Sequence, residues 1–273
     1  MVEDRFSLVG HVALVTGAGT GIGQATAQLL AHRGAKVALA GLRLDELEAV
    51  RDAINATGAE SIALACDVTN EDSIATAVSL AVAHFGKLDL VHGNAAMTEP
   101  AAMAKDGLVA DLDLATWDAT LAINLRGNAV LAKHCIPHLL ASGGGAIVFS
   151  GSGKARQGDF DHPAYGASKA GLESLVRYIA TQYGKQGLRC NLVQIGLVMT
   201  ATLDANLPAA VQALMLEHHL TPALGRAEDV ARAVAWLLSD EARFITGAAI
   251  PVDGGFTSHS PIYADMLRMT THA

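Results

Sequence analysis

The stretch that decides the fold runs from Val12 to Gly23 and reads Val12-Ala13-Leu14-Val15-Thr16-Gly17-Ala18-Gly19-Thr20-Gly21-Ile22-Gly23. It starts as a short apolar run typical of a buried strand, and the residues after Gly21 have helical periodicity. A glycine-rich turn between a strand and a helix lets backbone N–H groups approach a phosphate, and the helix N-terminus adds partial positive charge. Glycines also serve ordinary tight turns, so the position at the first strand-to-helix turn gives the motif its weight. It predicts a nucleotide-binding loop formed by Gly17, Gly19, Thr20, Gly21, Ile22 and Gly23.

The alternation of strands and helices continues along the chain. Short apolar runs predict strands at Val12–Thr16, Val37–Ala40, Ser61–Ala65, Leu88–His92, Ala146–Ser150, Arg189–Gln194 and Ala248–Val252. Helical spacing predicts helices at Gly21–Arg33, Leu44–Thr57, Asp72–Phe85, Ala164–Tyr183 and Ala227–Leu238. This order favours a parallel sheet with helices on both faces and ligands beyond the carboxyl ends of the strands. We expect one α/β domain over residues 1–273, with a substrate loop at about 196–224 and a tail at 257–273.

Composition and charge restrict the classes of function. Hydrophobic residues make up 51% of the 273 and charged residues 17%, and the mean hydropathy of +0.32 fits buried strands. The net charge of −8 comes without a basic run, so we expect neither nucleic acid nor an anionic membrane as a partner. No apolar run approaches the roughly 18 residues of a membrane span, and Met1–Gly10 does not resemble a secretory signal. Cys66, Cys135 and Cys190 are widely spaced, which favours buried apolar roles over disulfides or a metal site and fits a reducing cytoplasm.

Residues suited to a dinucleotide follow two further strands, at the edge where the phosphate loop is expected. Asp67 and Val68 come directly after the third strand, and Asn94 and Ala95 come after the fourth. The Asp67 carboxylate could accept a hydrogen bond from an adenine amino group, or it could cap the segment that follows. The small residues around Asn94 let the chain pass close to a cofactor. We therefore assign these four residues to cofactor binding.

Tyr165 and Lys169 begin a predicted helix and stand four residues apart, so both lie on one face of it. A tyrosine has a pKa of about 10, and a nearby ammonium group would lower that pKa by favouring the phenolate. The pair would make Tyr165 a general acid or base, although the same spacing also occurs on ordinary helix surfaces. Ser152, just past the fifth strand, could hydrogen-bond a substrate oxygen, with Ser150 as the competing candidate.

Asn124 lies within a long predicted helical segment, although asparagine has a low helix propensity. Two explanations are open. The side chain could hold a water molecule that relays protons to Lys169, or it could bond locally in a helix bend.

These residues resemble the short-chain dehydrogenase/reductase family over nearly the whole chain. The motifs that carry the resemblance are Thr16–Gly23, the segments of Asp67 and Asn94, Asn124, Ser152, Tyr165-Gly166-Ala167-Ser168-Lys169, Asn191, Ile245-Thr246-Gly247 and Val252-Asp253-Gly254-Gly255. The resemblance implies a Rossmann-type doubly wound sheet of seven parallel strands. It also implies a catalytic tetrad of Asn124, Ser152, Tyr165 and Lys169, with Tyr165 and Lys169 touching the cofactor as well. A homotetramer built through the helices that contain Asn124 and Tyr165 is the implied assembly.

The resemblance further implies hydride transfer between NAD(P)(H) and a ketone or secondary alcohol, with Tyr165 as general acid or base. An acidic residue at the end of the second strand binds the ribose of NAD and repels the 2′-phosphate of NADP. This chain has Gly41 there, and Arg43 could reach a 2′-phosphate or could be a solvated helix-start residue. The balance favours NADP over NAD. Gly196 and Val198, after the sixth strand, complete the expected cofactor contacts.

Four features depart from the family pattern. Ala96 stands where the family usually has glycine, and Ile195 stands where it usually has proline. Losing that proline could alter the loop beside the nicotinamide. The connection Met97–Asp113 is a few residues longer than usual, and neither Thr20 nor Leu42 supplies the basic residue that NADP-binding members often have.

The substrate pocket is expected to form from Gly153–His162, Leu197–His219 and the connection after Ala96. Its expected apolar lining is Phe160, Leu197, Val198, Met199, Leu203, Leu207 and Met215. His162 and His218 could contact substrate or could be structural. Because no arginine cluster suits a phosphorylated or carrier-bound compound, we predict an uncharged, partly hydrophobic ketone or secondary alcohol of aromatic, alicyclic or steroid-like type.

Two alternatives to redox catalysis stay open: a non-redox lyase or dehydratase on the same fold, and a cofactor-sensing protein without chemistry. The complete tetrad argues against the sensor, whereas the altered Ile195 favours the lyase slightly. The tail has the apolar spacing of a short helix. It could cover the pocket of a neighbouring subunit or seal the chain's own surface.

Overall fold

The centre of the molecule is a sheet of seven parallel strands, seen in a computed structural model that describes residues 7–271. The strands are β1 (Val12–Thr16), β2 (Lys36–Gly41), β3 (Ser61–Ala65), β4 (Leu90–Gly93), β5 (Gly145–Ser152), β6 (Leu188–Ile195), β7 (Val198–Met199), β8 (Gly225–Arg226) and β9 (Ala249–Val252). The order across the sheet is β3-β2-β1-β4-β5-β6-β9, and β7 pairs with β8 outside it. The order reverses between β1 and β4, as in a Rossmann-type fold. The predicted fold class and seven strands are confirmed, with ends shifted by one or two residues.

Helices cover both faces of this sheet. They are α1 (Gly21–His32), α2 (Leu44–Asn55), α3 (Glu71–Phe85), α4 (Pro100–Met103), α5 (Leu114–Leu121), α6 (Gly127–Ala141), α7 (Pro163–Tyr183), α8 (Ala201–Asn206), α9 (Ala209–Glu217), α10 (Ala227–Leu238) and α11 (Tyr263–Thr271). One apolar core lies between the sheet and α3, α6 and α7, and a second lies between the sheet and α1, α2 and α10. The central strands therefore bury both faces, which explains their continuous apolar sequences, whereas the edge strands β3 and β9 are only half-buried.

The less regular parts of the sequence contain short elements. The connection Met97–Asp113 holds α4 and a 3-10 turn at Val109–Asp111. Asn124 lies in a π-helical turn, Ala122–Arg126, which joins α5 to α6. The expected tail helix is found as α11, and the expected substrate loop contains β7, α8 and α9 and ends directly before β8.

The three cysteines are buried free thiols, as predicted. Burial raises the pKa of the Cys66 thiol to about 11, so this thiol stays protonated at neutral pH. Within residues 7–271, no helix is long and apolar enough to cross a membrane. The prediction that Met1–Gly10 is no secretory signal rests largely on residues 1–6, which lie outside the described residues, as do the last two residues of the tail.

Candidate active site

The phosphate loop between β1 and α1 has a backbone that fits a pyrophosphate. Gly17 and Gly21 have φ angles of 63° and 55°, in the left-handed region that disfavours a side chain. A Cβ atom at Gly23 would collide with the backbone oxygen of Gly17. Thr20 precedes α1 in an extended conformation, and its side chain makes no capping bond. The first N–H groups of α1 are therefore available to an anion, while Ile22 packs against the core.

An ion pair stands at the outer end of this loop, on the first turn of α2. Arg43 Nη2 lies 2.9 Å from Glu46 Oε1. An added Cβ at Gly19 would lie 3.0 Å from Cβ and from Oε2 of Glu46, so this side chain reaches over the loop. The guanidinium expected to bind a 2′-phosphate thus already has an anionic partner. Sequence reasoning missed Glu46, although its spacing of three residues from Arg43 on a helix predicts such a pair.

The Asp67 carboxylate is engaged within its own turn. Its Oδ1 accepts hydrogen bonds from the backbone N (2.8 Å) and the hydroxyl (2.7 Å) of Thr69. This is the capping alternative left open by the sequence. Val68 packs closely, because its backbone oxygen lies 2.7 Å from the position of a Cβ at Gly127. Contact of Asp67 or Val68 with adenine stays a prediction.

Hydrogen bonds tie the end of β4 to the phosphate loop. Thr16 Oγ1 accepts from the backbone N of Asn94 (3.0 Å) and of Ala95 (3.2 Å). The Asn94 amide donates from Nδ2 to the backbone oxygen of Gly17 at 3.3 Å. Ala95 Cα would lie only 3.1 Å from a Cβ at Gly17. The structure therefore brings the predicted residues Gly17, Asn94 and Ala95 together.

Tyr165 and Lys169 lie on the first turns of α7, next to the end of β5. The Tyr165 hydroxyl interacts with the side chain of Ser152, and this interaction lowers the pKa of the tyrosine. Lys169 is only 1% exposed, and its Nζ donates to the backbone oxygen of Ser150 at 2.8 Å. The same Nζ lies 5.4 Å from the centroid of the Tyr165 ring. Ser152, rather than the competing Ser150, therefore faces Tyr165.

The titration of this pair differs from the expectation. Burial raises the pKa of Tyr165, and the interaction with Ser152 offsets part of that rise. Burial lowers the pKa of Lys169 to about 8. The predicted lowering of the Tyr165 pKa by Lys169 is wrong for this geometry, because the ammonium group is directed at the Ser150 backbone oxygen and burial disfavours both charged forms. Tyr165 consequently keeps its neutral, proton-donating form.

The Asn124 side chain joins two segments around Tyr165. Its Oδ1 accepts from the backbone N of Met97 at 2.7 Å, and its Nδ2 donates to Ser168 Oγ at 3.0 Å. Ser168 Oγ in turn donates to the backbone oxygen of Tyr165 at 2.7 Å. Asn124 thus sits in a helix irregularity, as the second alternative held, but its side chain bonds across elements rather than locally. A water relay to Lys169 stays a prediction.

Asp106, which sequence reasoning missed, holds the start of α7. Its two carboxylate oxygens accept from the backbone N of Ala164 (3.0 Å) and of Tyr165 (2.9 Å), and its backbone oxygen accepts from His162 N (2.7 Å). A carboxylate at a helix N-terminus satisfies N–H groups that have no partner inside the helix. No sequence signal connects residues 58 positions apart.

The residues predicted to line the substrate are more exposed than the predicted cofactor contacts on the same loop. Of those cofactor contacts, Val198 is buried, and Gly196 packs so closely that a Cβ would lie 2.7 Å from Asp253 Cα. Five of the predicted lining residues are half-buried: Leu197, Met199, Leu203, Leu207 and Met215. Phe160 is 81% exposed, so the structure does not place it in the lining.

Both candidate histidines of the pocket have structural contacts. His162 Nδ1 lies 2.5 Å from Asp161 Oδ1. His218 stacks on His259, with ring centroids 5.9 Å apart. His259 Nε2 lies 2.6 Å from the backbone oxygen of His218, so the tail contacts the loop of its own chain. These contacts support the alternative in which the tail seals the chain's own surface.

Comparison with known proteins identifies the relatives of this chain. A family model described as enoyl-(acyl carrier protein) reductase matches residues 17–257. A cis-4-hydroxycyclohexanecarboxylate dehydrogenase of Sinomonas cyclohexanicum is 41% identical over 251 residues, covering 91% of this chain and 97% of the relative. A 7alpha-hydroxysteroid dehydrogenase of Bacteroides fragilis is 34% identical over 250 residues, covering 92% and 95%.

A solved structure agrees with these sequence relatives. The crystal complex of a 7 alpha-hydroxysteroid dehydrogenase with NADH and 7-oxo glycochenodeoxycholic acid matches with a TM-score of 0.87 and 29% identity, covering 93% of this chain and 97% of that one. None of these relatives supports the lyase or the sensor alternative. The chain therefore belongs to the short-chain dehydrogenase/reductase family and is an NAD(P)-dependent oxidoreductase.

Proposed function

We propose that the protein interconverts a ring-bearing secondary alcohol and its ketone, with Asn124, Ser152, Tyr165 and Lys169 as the catalytic tetrad. The observation that carries the proposal is the position of Tyr165, whose hydroxyl interacts with Ser152 and whose ring lies 5.4 Å from Nζ of the buried Lys169. Two hydroxyls and an ammonium group converge there at the carboxyl end of β5, where a carbonyl oxygen can accept two hydrogen bonds.

The chemistry divides between cofactor and protein. When bound, the nicotinamide supplies a hydride to the carbonyl carbon or accepts one from the carbinol carbon. Ser152 holds the substrate oxygen, and Tyr165 donates its proton to that oxygen as the carbonyl double bond becomes single. In the oxidation direction the Tyr165 oxygen takes the proton back. The Lys169 ammonium donates to the Ser150 backbone oxygen and places a positive charge beside the Tyr165 ring, and Asn124 holds α7 in place through Ser168.

The cofactor would lie along the carboxyl ends of β1, β2 and β4. We assign its contacts to the predicted set except Arg43, which pairs with Glu46: Gly17, Gly19, Thr20, Gly21, Ile22, Gly23, Asp67, Val68, Asn94, Ala95, Tyr165, Lys169, Gly196 and Val198. The collision that a Cβ at Gly23 would cause supports this assignment, because the absence of a side chain there lets the start of α1 pack directly against the turn at Gly17.

We propose NAD as the preferred cofactor, although the sequence favoured NADP. The NADP prediction rested on Arg43, and Glu46 pairs with that guanidinium at 2.9 Å. The Glu46 carboxylate also lies over Gly19, where it can accept hydrogen bonds from ribose hydroxyls and repel a 2′-phosphate. Glu46 thereby takes the role of the acid that is missing at Gly41.

A titration followed by nicotinamide fluorescence tests this preference. Wild-type protein is expected to bind NADH at least about tenfold more tightly than NADPH. Glu46→Gln should narrow that ratio by freeing Arg43, and Arg43→Ala should leave NADH affinity almost unchanged. Tighter NADPH binding that Arg43→Ala weakens would overturn the NAD proposal and restore Arg43 as the 2′-phosphate contact.

The substrate proposal is an uncharged, partly hydrophobic alicyclic or steroid-like alcohol or ketone. Half-buried aliphatic and thioether side chains form the open side of the site, and two relatives are named for ring alcohols. A panel of cyclohexanol, cis-4-hydroxycyclohexanecarboxylate, a 7α-hydroxysteroid and a carrier-bound enoyl thioester tests it by the cofactor absorbance at 340 nm. The highest kcat/KM is expected for an uncharged ring alcohol, and preference for the thioester would overturn the proposal.

The remaining expectations concern organisation and assembly. We propose a single domain over residues 1–273, with the substrate loop at about 196–224 and the tail at 257–273, in a homotetramer built through α6 and α7. Exposed small residues on α7, Ala167 and Ala170, suit close helix contact. The buried free thiols suit the cytoplasm. Light scattering of the purified protein tests the assembly, and a monomer would overturn it.

A further inference from the structure

A buried histidine in the central strand β4 has no role in the tetrad. His92 is fully buried, pairs with Val15 of β1 and Val148 of β5, and is flanked by apolar residues. Its Nε2 lies 3.1 Å from Ser150 Oγ, and its Nδ1 is buried with no hydrogen-bond partner among the described residues. Burial lowers the pKa of His92 to about 3, so the ring is neutral at physiological pH. A neutral polar ring in an apolar sheet is costly unless its one hydrogen bond serves a purpose.

The direction of the hydrogen bonds beyond His92 follows from the last acceptor. The backbone oxygen of Gly17 can only accept, so the Asn94 amide must present Nδ2 to it. Asn94 Oδ1 is then the acceptor of the bond from Ser150 Oγ, at 3.0 Å. The Ser150 hydroxyl has one proton and donates it to Asn94 Oδ1. The His92 Nε2 must therefore carry a proton and donate to Ser150 Oγ. One series of hydrogen bonds thus runs from the His92 donor through Ser150 and Asn94 to the accepting oxygen of Gly17.

This series of hydrogen bonds contacts both the proposed cofactor site and the catalytic residues. Asn94 and Gly17 belong to the proposed cofactor site, and the backbone oxygen of Ser150 holds Lys169 Nζ at 2.8 Å. Without the His92 donor, only the bond to Asn94 Oδ1 would fix the torsion of the Ser150 hydroxyl, so that hydroxyl would hold Asn94 less firmly.

We propose that His92 is a positioning residue that orients the Ser150 hydroxyl and the Asn94 amide, and through them the phosphate loop at Gly17. The proposal rests on the proposed cofactor site. It assigns to His92 an effect on cofactor binding without contact to cofactor or substrate, and it requires the Nε2–H tautomer.

A double-mutant cycle on NADH affinity tests the proposal. His92→Leu and Ser150→Ala are each expected to weaken NADH binding about five- to tenfold, and the double variant should be no weaker than the worse single variant. His92→Gln, whose amide can place a donor near the Nε2 position, should restore most of the affinity. His92→Asn, too short to reach Ser150 Oγ, should not. Melting temperatures of all variants separate loss of fold from loss of binding.

Four outcomes are decisive. Additive losses in the double variant, or equal affinities of the Leu and Gln variants, would show that His92 acts by packing alone and would overturn the proposal. A ¹⁵N spectrum of the imidazole that gives the Nδ1–H tautomer would also overturn it, without reference to cofactor, and this measurement does not depend on any variant folding. Wild-type protein that bound neither NADH nor NADPH would instead overturn the proposed function together with this inference.

Discussion

The two sides of the reaction site are built differently. On the cofactor side, Gly17, Asn94 and Lys169 are fixed by hydrogen bonds between neighbouring strands and α7. On the substrate side, half-buried loop residues at 196–224 are held by the tail, through contacts such as that of His259 with His218. The difference indicates that changes on the first side alter cofactor binding or the chemical step, whereas changes on the second alter substrate affinity. Each prediction below tests that division.

Tyr165→Phe is expected to have the largest effect. Removing the hydroxyl removes the proton donor, so kcat should fall about a thousandfold or more. The Kd of NADH should change less than about twofold, since the aromatic ring still fills its place. Stopped-flow turnover together with a binding titration checks both values. Tyr178→Phe, at an exposed tyrosine elsewhere on α7, is the matched control and should behave as wild type. Normal turnover by the Tyr165 variant would contradict the mechanism.

Gly23→Ala tests the cofactor side through its backbone. The added Cβ collides with the Gly17 backbone oxygen, so the loop must shift. Over-packing of this kind costs about 1–3 kcal/mol, which corresponds to about 5- to 150-fold weaker NADH binding. Gly184→Ala is the control, because a Cβ at Gly184 has open space around it. Equal affinities of the two variants would mean that this loop does not hold the pyrophosphate.

The same contrast explains how much the sequence predicted. Strand and helix positions follow from local apolar periodicity, which residues 12–23 already display, so the sheet was predicted to within one or two residues. The glycine loop and the Tyr165–Lys169 pair are also local patterns. Contacts between residues that are far apart in the sequence produce no local pattern of this kind. The cap of α7 by Asp106 and the bond of His92 with Ser150 are of this kind, each spanning 58 residues.

The pKa values of the site residues could not be predicted from the sequence either, because they depend on burial in the folded structure. The spacing of Tyr165 and Lys169 predicted a lowered tyrosine pKa, yet burial in the folded site raises it. Only the folded geometry shows that the Lys169 ammonium is directed at the Ser150 backbone oxygen. For Phe160, which lies in an exposed loop, the sequence led to too much expected burial. Its apolar character predicted a place in the pocket lining, but the side chain is largely solvated.

The pH dependence of kcat also tests the separation of the cofactor side from the substrate side. Its expected effect is smaller than that of Tyr165→Phe and larger than that of His259→Ala. The lowered pKa of Lys169, about 8, means that its ammonium form is complete below that pH and is lost above it. The kcat of ketone reduction should therefore fall about tenfold per unit well above pH 8. Lys169→Arg keeps a positive charge throughout this range, so its lower activity should not show the decline. A pH profile of the wild type that is flat from 7 to 10 would contradict a role for the Lys169 charge.

His259→Ala is expected to have the smallest effect, confined to the substrate side. Both ring nitrogens of His259 lie near backbone oxygens, Nε2 at 2.6 Å from His218 O and Nδ1 at 2.8 Å from Ser260 O. One such bond contributes about 0.5–1.5 kcal/mol, so loosening the loop should raise the KM of the alcohol about threefold. The Kd of NADH should not change, because the hydrogen bonds of His259 are to His218 and Ser260 and not to the strand ends. His32→Ala, at an exposed histidine at the end of α1, is the control. A changed NADH affinity with an unchanged KM would show that the tail acts on the cofactor side, and the separation of the two sides would then be wrong.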